Sequence, residues 1–242
     1  IKLSLFLFIT IAAVSLAFAA YKRNVVYKDL ITIYLDEVSK SPKTSGLHNG
    51  LGRAYLDKNM LDEAEREFKI AIELSPITGA NYHGNLGLVY EKKGLFDEAE
   101  KEYKTSIELS KYALGMVFEK GRKGIFLKDI YESQARTNLG ELYYKKGLLD
   151  KAILEYKEAV KLAPSAEVYN YLGDVYMKKG LLDDAEKAFA EALKLEPNNA
   201  DIHFNLGLVY EEKGFKDKAV SNYEAALRME PNFKEASAAL DR

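Results

Sequence analysis

Five stretches of the chain repeat one pattern of apolar and polar positions. Around Leu51-Gly52, Leu86-Gly87, Leu139-Gly140, Leu172-Gly173 and Leu206-Gly207, apolar residues fall at i, i+3 and i+4, the spacing of an amphipathic helix. Each stretch runs through Tyr55, Tyr90, Tyr143, Tyr176 or Tyr210 to a break at Asn59, Gly94, Gly147, Gly180 or Gly214. Lys92-Lys93-Gly94 and Lys145-Lys146-Gly147 place cations and a left-handed-tolerant residue at the break, as a helix C-terminus requires. Asp62, Asp97, Asp150, Asp183 and Asp217 then stand where a second helix begins and are expected to cap its free N–H groups. That second helix carries small residues around one aromatic (Phe68, Tyr103, Tyr156, Phe189, Tyr223), and Pro76, Pro164, Pro197 and Pro231 stop it. Gly and Ala midway along facing helices let the axes approach to the short end of the 8–10 Å range. This gain outweighs the roughly 1 kcal/mol cost of an internal glycine. The predicted unit is helix–turn–helix, and successive first glycines are 35, 53, 33 and 34 residues apart.

Leu-Gly…Tyr…Ala…aromatic…Pro at this period resembles the tetratricopeptide repeat, a 34-residue helical hairpin. The resemblance covers residues 45–233 as units 45–78, 80–113, 133–165, 166–199 and 200–233. It implies an all-α fold, a right-handed superhelical solenoid of about five hairpins, preceded here by a hydrophobic helix. Lys234–Leu240 begins a short cap, residues 234–242, over the last hairpin, which solenoids need for solubility. Between the second and third units lie 19 extra residues, 114–132. Met116-Val117-Phe118 and Ile125-Phe126-Leu127 flank a Gly-containing basic turn with Arg122 and Lys123. A hairpin fits this pattern, and so does extension of the flanking helices to a longer loop. If exposed, Phe118, Ile125 and Phe126, with Arg122 and Lys123, form the most protein-specific contact surface in the chain.

The amino-terminal stretch differs in kind. Leu3–Ala20 is an apolar run broken only by Ser4, Thr10 and Ser15, between Lys2 and the pair Lys22-Arg23. As a helix it spans roughly 27 Å, close to a bilayer's hydrocarbon thickness. A retained signal-anchor over residues 1–21 fits, with the repeats expected on the extracytoplasmic side of a single-pass protein. A signal peptide cleaved after Ala17-Phe18-Ala19, leaving a secreted or periplasmic adaptor, also fits. Residues 22–44 join this segment to the repeats. Pro42 lies 34 residues before Pro76, with Leu30 and Tyr34 at the repeat's Ala and aromatic positions. Val26–Ser41 therefore reads either as a degenerate half-repeat or as an unrelated juxtamembrane helix.

Composition narrows the function. With 35 Lys and Arg against 37 Asp and Glu, the net charge of −2 gives no basic excess for nucleic acid. The absence of Cys excludes thiol catalysis, disulfides and Cys-zinc sites. His48, His83 and His203 each sit four residues before a repeat's first Gly, where Arg136 and Tyr169 stand in the other units, so they read as packing residues and not as metal ligands. No nucleophile–base pair is present, and no catalytic, cofactor or metal site is expected.

The family's first helices line a concave groove, so the resemblance implies partner-binding roles for Asn49, Arg53, Asn81, Asn85, Leu88, Asn138, Glu141, Tyr144, Asn170, Asp174, Phe204, Asn205 and Leu208. This mixture offers amides to an extended backbone and apolar surface to its side chains, so the expected occupant is an extended peptide or a helix of a partner protein. The subclass that clamps a C-terminal carboxylate uses a Lys and Asn set at the first groove positions, and Asn49 and Arg53 depart from it. The expected function is a non-enzymatic protein-interaction scaffold, tethered through residues 3–20, that assembles or stabilises a multiprotein envelope complex. A filament or pilus-like subunit using the hydrophobic helix, and a soluble exported adaptor, are the alternatives.

Overall fold

The computed structural model describes residues 30–113, 116–117 and 125–241. The hydrophobic segment 3–20 lies outside them, as do Phe118, Arg122 and Lys123. Among the described residues the protein is all-α apart from one two-residue ladder, and no helix is long and apolar enough to cross a membrane. The chain divides into two compact units, residues 1–76 and 77–242.

The described part of the first unit holds α1 (Leu30–Lys40), α2 (Ser45–Asp57) and α3 (Leu61–Leu74). The second unit holds α4 (Ala80–Lys92), α5 (Phe96–Ser110), α6 (Leu127–Lys145), α7 (Leu149–Leu162), α8 (Ala166–Lys178), α9 (Leu182–Leu195), α10 (Ala200–Glu212), α11 (Lys216–Met229) and α12 (Lys234–Leu240). Five consecutive pairs, α2–α3 to α10–α11, form hairpins. Within the second unit one core runs from Ala99 to Val209, so neighbouring hairpins share apolar surface that none buries alone.

One contact recurs inside every hairpin. The aromatic ring 16 residues after the Leu-Gly glycine packs directly on that glycine: Phe68 on Gly52, Tyr103 on Gly87, Tyr156 on Gly140, Phe189 on Gly173 and Tyr223 on Gly207. A Cβ at any of these glycines would lie within 2.8 Å of a ring carbon, a distance side chains do not tolerate. The rings are at most 2% exposed. Tyr34 of α1 meets Gly50 of α2 in the same manner.

The turns are equally uniform. Gly94, Gly147, Gly180 and Gly214 adopt φ of 73–80°, and Asn59 adopts 58° at the matching place. In each the next residue donates its N–H back to the Tyr carbonyl five residues earlier, as Leu95 does to Tyr90 and Phe215 to Tyr210. This left-handed closure satisfies carbonyls that the helix end leaves unpaired. The aspartates that follow do not cap. The N-caps of α3, α5, α7, α9 and α11 are Met60, Leu95, Leu148, Leu181 and Phe215, without a side-chain bond, and each Asp stands in the first helical turn. A capping aspartate must precede the helix with its carboxylate over the first N–H groups; the hydrophobic turn residue occupies that place.

In the second unit Asp97, Asp150 and Asp183 instead receive cations from the next hairpin. The Lys before three of the turn glycines reaches back: Lys146 to Asp97 (3.1 Å), Lys179 to Asp150, and Lys213 to Asp183 (2.6 Å) and Glu186 (2.5 Å). Tyr143 and Tyr210 donate to Glu100 and Glu186 at 3.0 and 2.9 Å. Exposed pairs of this kind contribute at most about 1 kcal/mol each, so they set register more than stability.

Residues 114–132 combine both sequence readings. Met116–Val117 (β1) and Ile125–Phe126 (β2) pair antiparallel, with Met116 opposite Phe126, and α6 starts at Leu127, ahead of the unit boundary at 133. At the other end, Ala236 and Ala239 of α12 are buried and Leu240 packs with them over Tyr223.

Two outcomes are expected. Gly173→Ala lowers stability by about 1–3 kcal/mol through overpacking against Phe189, whereas Gly46→Ala, helical with open space at its Cβ, leaves it equal or raises it by up to about 1 kcal/mol; thermal unfolding of both variants checks this. Hydrogen bonds from Lys104, Tyr143 and Lys146 lower the Glu100 carboxyl from 4.5 to about 2. Its contribution to stability is therefore complete above pH 4.5 and lost as pH falls towards 2, and Glu100→Gln should flatten that part of an acid-unfolding profile.

Candidate functional site

In the second unit the first helices of successive hairpins, α4, α6, α8 and α10, meet through side chains along one face. Lys145 of α6 bonds Glu91 of α4 at 2.7 Å. Asn205 of α10 donates to Asn170 and Asp174 of α8 at 3.1 and 3.2 Å. Asn81, Asn85 and Leu88 are half-buried on α4. Asn49 and Arg53 belong to α2 of the first unit, where Asn49 is half-buried and Arg53 exposed.

Several expected groove residues are otherwise engaged. Asn138 is only 6% exposed and accepts from Gln134 at 3.1 Å, so it is an interior group. Phe204 packs against Tyr223 and Phe233, with ring centroids 5.7 and 5.1 Å away, and Leu208 joins the same cluster. Both remain half-buried on α10, with Phe233 adding apolar cover to Phe204. Of the insertion residues, Phe126 is half-exposed at the start of α6, with Lys128 Nζ 5.6 Å from its ring centroid.

The histidines have partners inside their own hairpins. His48 Nδ1 lies 2.6 Å from Glu67 and His83 Nδ1 2.6 Å from Glu102, both 19 residues further on. Arg136 reaches Glu155, and His203 reaches Asn222, across the same separation. Among the described residues no group of three or more His, Asp or Glu is placed to hold a metal ion.

The feature that stands out is a cavity of about 200 Å³ between α6, α7 and α8. Glu141, Tyr144 and Lys145 come from α6, Tyr156 from α7, and Tyr171, Asp174 and Val175 from α8. Tyr156 and Tyr171 stack at 5.7 Å, and Tyr171 donates to Glu167 at 2.9 Å. Lys145 bonds Glu141 at 2.7 Å, and Lys178 Nζ stands 4.2 Å from the Tyr144 ring centroid. Burial raises the Asp174 carboxyl from 3.8 to about 6.

Of these residues the family-based groove assignment names Glu141, Tyr144 and Asp174; Lys145, Tyr156, Tyr171 and Val175 it misses. A signal exists in the repeat register. Two residues before the first glycine, Asn85, Asn138 and Asn205 stand in three units, and Tyr171 stands in the fourth. Four residues after that glycine, Glu91 and Glu211 are replaced in the third unit by Tyr144.

Asp174 costs the fold stability once ionised. Its penalty is absent below pH 3.8, grows towards pH 6 and is complete above it. Asp174→Asn should therefore raise stability at pH 7.5 by on the order of 2 kcal/mol and have no such effect at pH 3.5, as denaturant unfolding at the two pH values will show.

Comparison with known proteins places this geometry. Tetratricopeptide-repeat profiles match residues 46–78 and 80–112, residues 140–180 and 173–214, and residues 200–233. Among solved structures, YrrB, a TPR protein with an unusual peptide-binding site, is similar at 20% identity, covering 86% of this chain and 98% of its own, with a TM-score of 0.60. MamA is similar at 24% identity over 78% of this chain and 93% of its own, TM-score 0.59. PilF of Pseudomonas aeruginosa is similar at 14% identity over 95% and 96%, TM-score 0.69. At these identities the likeness concerns the fold. No curated protein sequence matches the chain. The recurring hairpins and the profile matches, over most of residues 46–233, agree: the chain belongs to the tetratricopeptide-repeat family.

Proposed function

We propose that this protein is a non-enzymatic scaffold that binds a segment of a partner protein along the face made by α4, α6, α8 and α10, is held at a membrane by residues 3–20, and assembles or stabilises a multiprotein envelope complex. The observation that carries the binding part is the junction of α6, α7 and α8, where aromatic rings, two carboxylates and a cavity coincide on that face. Helical hairpins stacked side by side supply extended area, amides such as Asn81 and Asn85 bond an extended backbone, and shallow depressions take its side chains. The description of YrrB as having a peptide-binding site is in keeping with this reading. Membrane tethering rests on the apolar run Leu3–Ala20 and its flanking cations.

Photo-crosslinking in native membranes tests both parts. A crosslinker at Asn81 or Met177, on the first helices, should capture one and the same protein, while one at exposed Lys101 or Lys187, on the second helices, should not. Capture from the second helices alone contradicts the binding face. Mass spectrometry of the membrane-extracted protein should retain residues 3–20; their loss contradicts the tether.

A further inference from the structure

The buried tyrosines of the hairpins differ in what their hydroxyls meet. Tyr103 donates to Glu91 at 2.7 Å and Tyr223 to Glu211 at 2.5 Å, each carboxylate lying 12 residues earlier. For Tyr156 the residue 12 positions earlier is Tyr144, which offers no carboxylate. Tyr156 is 2% exposed, yet its hydroxyl has no hydrogen-bond partner among the described residues and its ring lines the cavity. Among the described residues no buried side-chain polar atom is left unpaired, so this hydroxyl is open to solvent in the cavity, where an incoming donor can replace water.

The charges around the cavity are unbalanced as well. Glu141 and Asp174 line it and Glu91 stands beside it; Lys145 bridges Glu91 and Glu141 at 2.7 Å each, and Lys178 stands over the Tyr144 ring, so three carboxylates face two ammonium groups. Among the described residues Asp174 accepts a hydrogen bond from the Asn205 amide and forms no ion pair. Aromatic faces with nearby carboxylates attract a cation, more strongly where water is excluded. Lys178 over Tyr144 shows an ammonium already held by one of these rings.

Resting on the scaffold reading above, we infer that the pocket between α6, α7 and α8 receives one lysine or arginine side chain of the partner's extended segment, its cation held among the rings of Tyr144, Tyr156 and Tyr171 and the carboxylates of Glu141 and Asp174. The Tyr156 hydroxyl accepts from the incoming N–H, and Asp174 gains the counter-charge that its own fold withholds. A cavity of about 200 Å³ suits one side chain and not a folded element. The same logic explains why a destabilising carboxylate stands at position 174: it contributes to binding what it costs the free protein.

Selection of random dodecapeptides displayed on phage, against the full chain and three variants, tests this. The wild type should enrich peptides with a lysine or arginine at one fixed position, and replacing that residue by norleucine in a synthetic peptide should weaken binding about tenfold. Asp174→Asn and Tyr156→Phe should each weaken the same peptide severalfold or more, although the first is the more stable protein at neutral pH. Tyr223→Phe, whose hydroxyl bonds Glu211 outside the cavity, should leave affinity unchanged. Enriched peptides without a basic residue, or binding unaffected by Asp174→Asn and Tyr156→Phe, overturn the pocket assignment and leave the scaffold reading standing. No enrichment over a display without the protein overturns both.

Discussion

An aromatic ring resting on a glycine, 16 residues apart in sequence, is the constraint on which each hairpin depends. The ring fills the space a Cβ would occupy, so the two helix axes approach closely and the surrounding alanines complete the contact. Because the ring packs on the glycine of the first helix, the hydroxyl of a tyrosine is carried to groups on that same helix. There Glu91 and Glu211 receive two of the hydroxyls. The third tyrosine in this role, Tyr156, arrives at Tyr144 and Tyr171, and a cavity results. A rule of core packing thus decides where the candidate binding surface departs from its own repeat.

Contacts between hairpins have a different character. Lysines before the turn glycines meet acids at the start of the preceding second helix, and Tyr143 and Tyr210 reinforce two of these junctions. Tyr143 and Glu100 are 43 residues apart, whereas Tyr210 and Glu186 are 24 apart; the difference is the 19 inserted residues. The junction is therefore remade in register after the insertion. Such exposed pairs are weak one by one, but together they favour one offset of hairpin on hairpin over others.

The fold was legible in the sequence because its signals are local. Leu-Gly, the turn glycine and the aromatic each act within one hairpin, and five copies reinforce the reading. The aspartates misled as caps because helix starts favour acids for two reasons, direct N–H bonding and the dipole, and sequence does not separate them. The lysine partners of Asp97, Asp150 and Asp183 lie in the next hairpin, 29 to 49 residues away, beyond any local pattern. Phe204 likewise carries a contact that no local pattern announces, since the ring of Phe233 stacked near it lies 29 residues further on. The cavity is written in differences between units and not in any local motif: Tyr171 stands where three other units carry Asn, and Tyr144 where two others carry Glu.

In the proposed reading the first-helix face binds a partner segment, and the third and fourth hairpins select its charge. A crystal structure of the full chain with its crosslinked partner segment bound tests this most directly. The account requires the segment along α4, α6, α8 and α10 with a basic side chain among Tyr144, Tyr156 and Tyr171. A segment seated on the second helices, or a cavity left empty beneath a bound segment, would contradict it.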